Sequence, residues 1–124
     1  MGDMSENARI SDRLISYIRD KLDDPDIAYD TPCSRMEGGF ETAIYELQLN
    51  RFRGEPHKRL VLRLFPEFRP PENAVKEYVV QNVLANEGFP VAGTYLLCTD
   101  KSVLGGAFFL MDFLPGKSLM SAPI

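Results

Sequence analysis

Between residues 42 and 52 apolar side chains recur at every second position. Ala43, Tyr45, Leu47 and Leu49 share one face of an extended chain, and Glu46, Gln48 and Asn50 share the other. Arg53-Gly54-Glu55-Pro56 has the composition of a turn. After it, residues 59–65 repeat the alternation, with Leu60, Leu62 and Leu64 on one side and Val61, Arg63 and Phe65 on the other. Two such strands with so short a connection pair as an antiparallel hairpin. No other stretch constrains the fold as much, because the remaining elements must pack on this hairpin or extend it.

Residues 8–22 set Ile10, Leu14, Ile15, Ile18 and Leu22 at helical spacing, with Ser11, Asp12 and Arg13 on the polar side. This is an amphipathic helix that must dock on something; residues 1–7 ahead of it are expected to be disordered. Asp23-Asp24-Pro25-Asp26 ends it, and residues 27–36 read as a short extended segment, irregular near Pro32. Pro66 closes the second hairpin strand. Pro70-Pro71-Glu72 then starts a helix that runs to about Asn86, with Gly88 as its stop. Its apolar stripe is expected to be Val79, Val80, Val83 and Leu84. Glu77 lies at the edge of that stripe, turned toward the sheet and away from bulk water. Residues 94–98 and 107–114 read as two more strands, with turns at Asp100-Lys101-Ser102 and Gly105-Gly106 between them. The order is helix, about three strands, helix, two strands. The fold class is α+β, an antiparallel sheet of about five strands with a packed helix and an extra N-terminal amphipathic helix.

At 124 residues and 44% apolar content there is room for one domain with a modest core. The net charge is −4 and the basic residues are spread, which argues against nucleic acid as a partner. The longest apolar stretch, residues 107–114, is interrupted by Asp112 and falls far short of the ~20 residues of a membrane helix. The polar, acidic N-terminus has no apolar core of a signal peptide. Cys33 and Cys98 are far apart and form no CxxC, so they read as reduced structural thiols of a cytoplasmic protein. His57 is the only histidine, which argues against a histidine-based metal site.

Four places could carry chemistry, and each has a plain alternative. Gly38-Gly39 puts backbone without side chains between an incoming segment and an outgoing strand. Such a loop brings N–H groups against a phosphate, or it is an ordinary hairpin turn. Arg63 offers a planar double donor for phosphate, or is a strand arginine whose stem packs while its head reaches water. Glu77 needs a partner if its side of the helix is buried, and Arg63 stands 14 residues upstream across a strand–turn–helix connection. An Arg63–Glu77 pair would hold the guanidinium in place for a phosphate; otherwise Glu77 shares a solvated face with Lys76 and Glu87. The segment Phe109 to Pro115 leaves the sheet as an extended backbone whose alternating C=O and N–H could meet the rim of an adenine, or is a core strand entering a loop.

Together and in this order, the features resemble the N-terminal lobe of the aminoglycoside phosphotransferase and choline kinase group, within the protein-kinase-like fold. Met36-Glu37-Gly38-Gly39-Phe40-Glu41-Thr42 is similar to its Gly-Gly loop, and Leu60-Val61-Leu62-Arg63 to its third strand. Lys76-Glu77-Tyr78-Val79-Val80 resembles the helix that supplies a pairing glutamate, and Gly88-Phe89-Pro90-Val91 the connector after it. The stretch from Gly106 through Met111-Asp112-Phe113-Leu114-Pro115-Gly116 to Leu119 resembles its hinge.

The resemblance covers residues 8–119 and leaves 120–124 as the start of a second lobe. It implies that Gly38, Gly39 and Phe40 cover the phosphates of ATP or GTP bound with Mg²⁺. Arg63 would contact the α/β-phosphates and Glu77 would orient it. The C=O of Asp112 and the N–H of Leu114 would bind adenine, with Met111 behind. Arg63 stands where many relatives carry lysine, and Phe40 and Glu41 replace small or polar residues. Phosphoryl transfer in this group also implies a catalytic-loop Asp and Asn and a metal-binding Asp. No His-x-Asp-x-x-x-x-Asn run occurs here, so this chain is expected to hold no catalytic or metal-ligating residue and to be inactive alone. The expected function is the nucleotide-binding lobe of a small-molecule phosphotransferase acting on a hydroxyl. The alternative is a non-catalytic lobe that grips a protein.

Overall fold

The computed structural model describes residues 4–36, 42–88 and 91–113. Along them run α1 (Met4–Lys21), β1 (Tyr29–Arg35), β2 (Ala43–Phe52), β3 (Glu55–Leu64), α2 (Pro71–Asn86), β4 (Thr94–Cys98) and β5 (Phe108–Asp112). The strands form one five-stranded antiparallel sheet in the order β1-β2-β3-β5-β4. The α+β architecture is therefore the one the alternation predicts, including the extra N-terminal helix. That helix starts early: residues 4–7, expected to be disordered, belong to α1, with Glu6 in the first turn, where a negative charge favours the helix dipole. Glu6 also reaches Arg35 of β1, at 3.8 Å.

The hairpin turn is tighter than its composition suggests. Arg53 (φ 50°) and Gly54 (φ 87°) form a two-residue loop, and Phe52 already pairs with Glu55. Positive φ at both positions is type I′ geometry, whose twist matches that of the flanking strands. Pro56 consequently lies inside β3, opposite Arg51. It is tolerated because β5 pairs with β3 only from Leu60 onward, so at Pro56 the strand has a neighbour on one side only.

The alternation along β3 feeds two cores. Leu60, Leu62 and Leu64 join Tyr45, Leu47, Leu49, Phe108 and Leu110 beneath Ile10, Leu14 and Ile18 of α1. Each such fully buried side chain contributes about 1.5–3 kcal/mol, which makes α1 part of the core rather than an appendage. On the other face Val61, Phe65, Phe109 and Met111 pack beneath α2 through Ala74. The sheet thus lies between the two helices, and Arg63 leaves it on the α2 side.

α2 is rotated away from its expected orientation. Its packing face is Ala74 and Tyr78, the latter edge-on to Phe109 with ring centroids 5.8 Å apart. Val79, Val80 and Val83 are 50, 47 and 52% exposed, so the expected stripe is not the buried one. The small Ala74 admits close approach to the sheet, and an aromatic pair at Tyr78 buries more area than a valine. Gln81 and Asn82 reinforce this rotation: Gln81 Nε2 donates to the Ala92 carbonyl at 3.4 Å, and Asn82 Oδ1 accepts from Thr94 Oγ1 at 2.6 Å. Gly88, at φ 91°, ends the helix as its composition predicts. Cys33 and Cys98 are free and buried. No described helix is long and apolar enough to cross a membrane.

Candidate functional site

Arg63 sits on the central strand of the sheet, opposite Ile44 of β2 and Phe109 of β5. Ladder bonds on both sides fix its backbone, and its stem runs out over the α2 face, leaving the side chain 11% exposed. The head meets Glu77, one turn beyond Ala74 on α2. Nη2 donates to Glu77 Oε1 at 2.9 Å and to Oε2 at 3.0 Å. The guanidinium carbon also lies 5.0 Å from the centroid of the Phe65 ring, within reach of a cation–π attraction. Glu77 is turned toward the sheet, but it remains 41% exposed, not withdrawn from bulk water. The pair is therefore a mostly buried cation held by a half-wet carboxylate.

Two cavities meet at this pair. One, of about 260 Å³, has Val80, Phe109 and Met111 in its wall, with Lys76 and Gln81 also lining it. The other, of about 330 Å³, is polar, with Thr42, Arg69, Asn73 and Lys76 around it. A larger cavity of about 700 Å³ lies across the sheet between α1 and β1, lined by Ser11, Ile15, Tyr29 and Cys33 among others, and shares no residue with the Arg63–Glu77 site. Burial pushes the Cys33 thiol upward and hydrogen bonds from Tyr29 and Ser11 only partly offset it, which favours the thiol over the thiolate.

At the end of β5 Asp112 is tied down by its side chain. Its carboxylate accepts from Lys58 Nζ at 3.0 Å, from the Tyr95 hydroxyl at 2.8 Å and from the Gly93 N–H at 3.1 Å. Its own N–H donates to the Gly93 carbonyl at 2.9 Å. Gly93 permits this approach, since a Cβ there would stand 3.0 Å from Asp112 Oδ2. Burial works to lower the Lys58 ammonium, but the Asp112 carboxylate outweighs it and the net shift is upward. Burial and the hydrogen bond to Asp112 both raise the Tyr95 phenol. Next along, the Arg59 guanidinium stacks 3.9 Å from the centroid of the Phe113 ring.

Of the residues singled out by sequence, the structure brings Arg63, Glu77 and Met111 to one cleft, with Asp112 at the next position along β5. Gly38, Gly39, Phe40, Glu41 and Leu114 lie outside the described residues. Sequence reading missed Arg69, Asn73 and Lys76 around the polar cavity, and Lys58 and Tyr95 on Asp112. Asn73 falls four positions and Lys76 one position before Glu77 on the same helix, a spacing that could have been noticed. Lys58 and Tyr95 reach Asp112 only through strand order. Among the described residues no group of three or more His, Cys, Asp or Glu could hold a metal ion.

A model of the phosphotransferase enzyme family matches residues 33–123. In a crystal structure from Ralstonia eutropha, a protein classed as an aminoglycoside phosphotransferase superposes with a TM-score of 0.63 at 26% identity, covering 94% of this chain and 29% of that one. Acyl-CoA dehydrogenase family member 10 of Mus musculus is 39% identical over 62 residues, 48% of this chain and 6% of its own length. Acyl-CoA dehydrogenase family member 11 of Gallus gallus is 39% identical over 49 residues, 40% of this chain and 6% of its own length. The chain thus spans under a third of the matched structure and a small part of the curated relatives.

Proposed function

From the premise that the chain belongs to the phosphotransferase enzyme family, we propose that residues 8–119 form the nucleotide-binding lobe of an ATP- or GTP-dependent kinase of small-molecule hydroxyls. One observation carries the reading: Arg63, rooted in the central strand, has its head clamped by Glu77 at 2.9 Å. A cation whose position is set before the ligand arrives loses little freedom on binding, so its attraction to phosphate is retained as affinity. In this reading Arg63 donates to the α/β-phosphates, Glu77 orients it, and Gly38, Gly39 and Phe40 cover them. The base lies against Met111, between the Asp112 carbonyl and the Leu114 N–H. The carboxylate of Asp112, held by Lys58 and Tyr95, keeps that strand end in register.

The family's Mg²⁺ would neutralise charge developing on the phosphates. The described residues do not offer a ligand set for it, so no step is derived through it and no described residue is given a catalytic role. The acceptor hydroxyl belongs to a small molecule. Nucleic acid and membrane have no part in the reading, and a cytoplasmic setting suits the free thiols of Cys33 and Cys98.

Titration with ATP should shift the amide NMR signals of Arg63, Glu77, Met111 and Asp112, and Arg63→Ala should weaken binding at least tenfold. An unchanged spectrum at millimolar ATP sinks the proposal. The exposed valines of α2 favour a second reading, a lobe that grips a protein without catalysis. Full ATP-dependent phosphorylation of a small alcohol by the whole protein would exclude it.

A further inference from the structure

α2 has two apolar faces, and the sheet takes only one. Opposite Ala74 and Tyr78, which pack on the sheet, the helix presents Lys76, Val80, Val83 and Glu87, all exposed, with Val79 flanking them. At ~100° per residue these four fall within about 60° of one another, in one line along the axis. Valine is a poorer helix former than Lys, Glu or Ala, because its branched Cβ crowds the preceding turn. A face that met only water would gain stability from almost any such replacement, so three exposed valines in one stripe mark a surface that meets a partner.

The order of charges along the line indicates which partner. Lys76 stands toward the N-terminal end of α2, and Glu87, the C-cap, closes the other end. A second α2 laid antiparallel brings each Lys76 onto the other copy's Glu87, and the same register sets Val80 against Val83 at the centre. A twofold axis repeats every contact, so two ion pairs flank a centre of four valines. Each Lys76 also falls beside the other helix's C-terminus, where the dipole favours a cation. Parallel pairing would instead oppose Lys76 to Lys76 and Glu87 to Glu87. At 1.5 Å per residue α2 is about 24 Å long, too short a seam for the ~1,600 Å² of a standard interface, so the pair belongs to the weak, reversible class.

We infer that the outer face of α2 is a self-association surface, on which a second copy of this chain docks antiparallel through Val80, Val83 and the Lys76–Glu87 pairs. The inference goes beyond the nucleotide reading, for it needs neither a bound ligand nor Arg63. Lys76 and Val80 also line the 260 Å³ cavity, so the partner helix stands beside the cleft.

The test is sedimentation equilibrium of the full chain at low salt and without nucleotide, up to about 1 mM, where so small an interface shows itself. The parent should pass from monomer to dimer, and V83K, which puts a charge twice into the centre, should stay monomeric. K76E and E87K should each weaken association about tenfold, since each turns two attractions into two repulsions. The double variant K76E/E87K should recover the parent's affinity, and an equimolar mixture of K76E and E87K should associate more tightly than either alone. Circular dichroism reports the folding of each variant. A parent still monomeric at the highest concentration overturns the inference, as does a dimer that V83K leaves intact or that K76E/E87K fails to restore. A lower Tm for V83K with no change in mass would show the face covered from within its own chain, which also overturns it. Amide shifts at Met111 and Asp112 on adding ATP to a monomeric chain would leave the nucleotide reading standing alone; a charge-dependent dimer with no ATP response would do the reverse.

Discussion

Glu77→Ala and Arg63→Met remove the same ion pair but should not cost the same. At about 4 Å separation and an effective dielectric of about 20, two unit charges attract by roughly 4 kcal/mol. Desolvation of Arg63 and the solvent reaching Glu77, which is 41% exposed, screen most of that, leaving a coupling of about 1 kcal/mol. In Arg63→Met the orphaned carboxylate is half in water and resolvates, so the loss should be about 1 kcal/mol. In Glu77→Ala the guanidinium, 11% exposed, is left without its carboxylate, and the loss should be about 2 kcal/mol. Urea unfolding of the parent, both single variants and the double variant measures the coupling directly. A coupling below about 0.3 kcal/mol, or Arg63→Met costing more than Glu77→Ala, would refute the idea that Glu77 anchors a buried cation.

Gly106→Ala would force a Cβ within 2.0 Å of the Phe65 carbonyl oxygen, a backbone atom that cannot swing aside. A loss of about 3 kcal/mol is expected, seen as a Tm fall of more than 10 °C, and a shift under 3 °C would contradict the close approach. Acid should lower the chain's stability in a defined window. Hydrogen bonds from Arg51 hold Asp24 below its ordinary pKa, those from His57 and Gln48 do so for Asp30, and those from Ser102 for Asp100. A lowered folded pKa gives stability present above the unfolded value near pH 4 and lost as pH falls through the folded one. The urea midpoint should therefore fall below about pH 4, less steeply in Asp24→Asn, and an identical slope in that variant would remove Asp24 from the account. Cys33, buried and raised by that burial, should resist thiol reagents at pH 8 until urea exposes it; rapid native labelling would contradict its placement.

Much of this molecule follows from local rules. Alternation from Ala43 to Leu49 and from Leu60 to Phe65 specifies which side chains share a face, because a strand's period is two whatever lies beside it. Arg53-Gly54 specifies the hairpin, and Pro71 and Gly88 bound α2, because φ preferences act residue by residue. The approach of Glu77 to Arg63 was legible for the same reason, given a strand, a short turn and a helix.

Long-range packing decided the rest. α2 offers two faces at helical spacing, and composition favours the valines. The sheet instead takes Ala74 and Tyr78, since Phe109 on a strand 31 positions beyond Tyr78 supplies the matching ring. The insertion of β5 between β3 and β4 brings Lys58 and Tyr95 onto the carboxylate of Asp112. It also places Phe109 and Met111 beside Arg63, which turns a strand arginine into one wall of a cleft. Periodicity reports which way a side chain faces along its own element. It carries no information about which element arrives opposite, because that choice is made by the summed burial of residues distant in the chain.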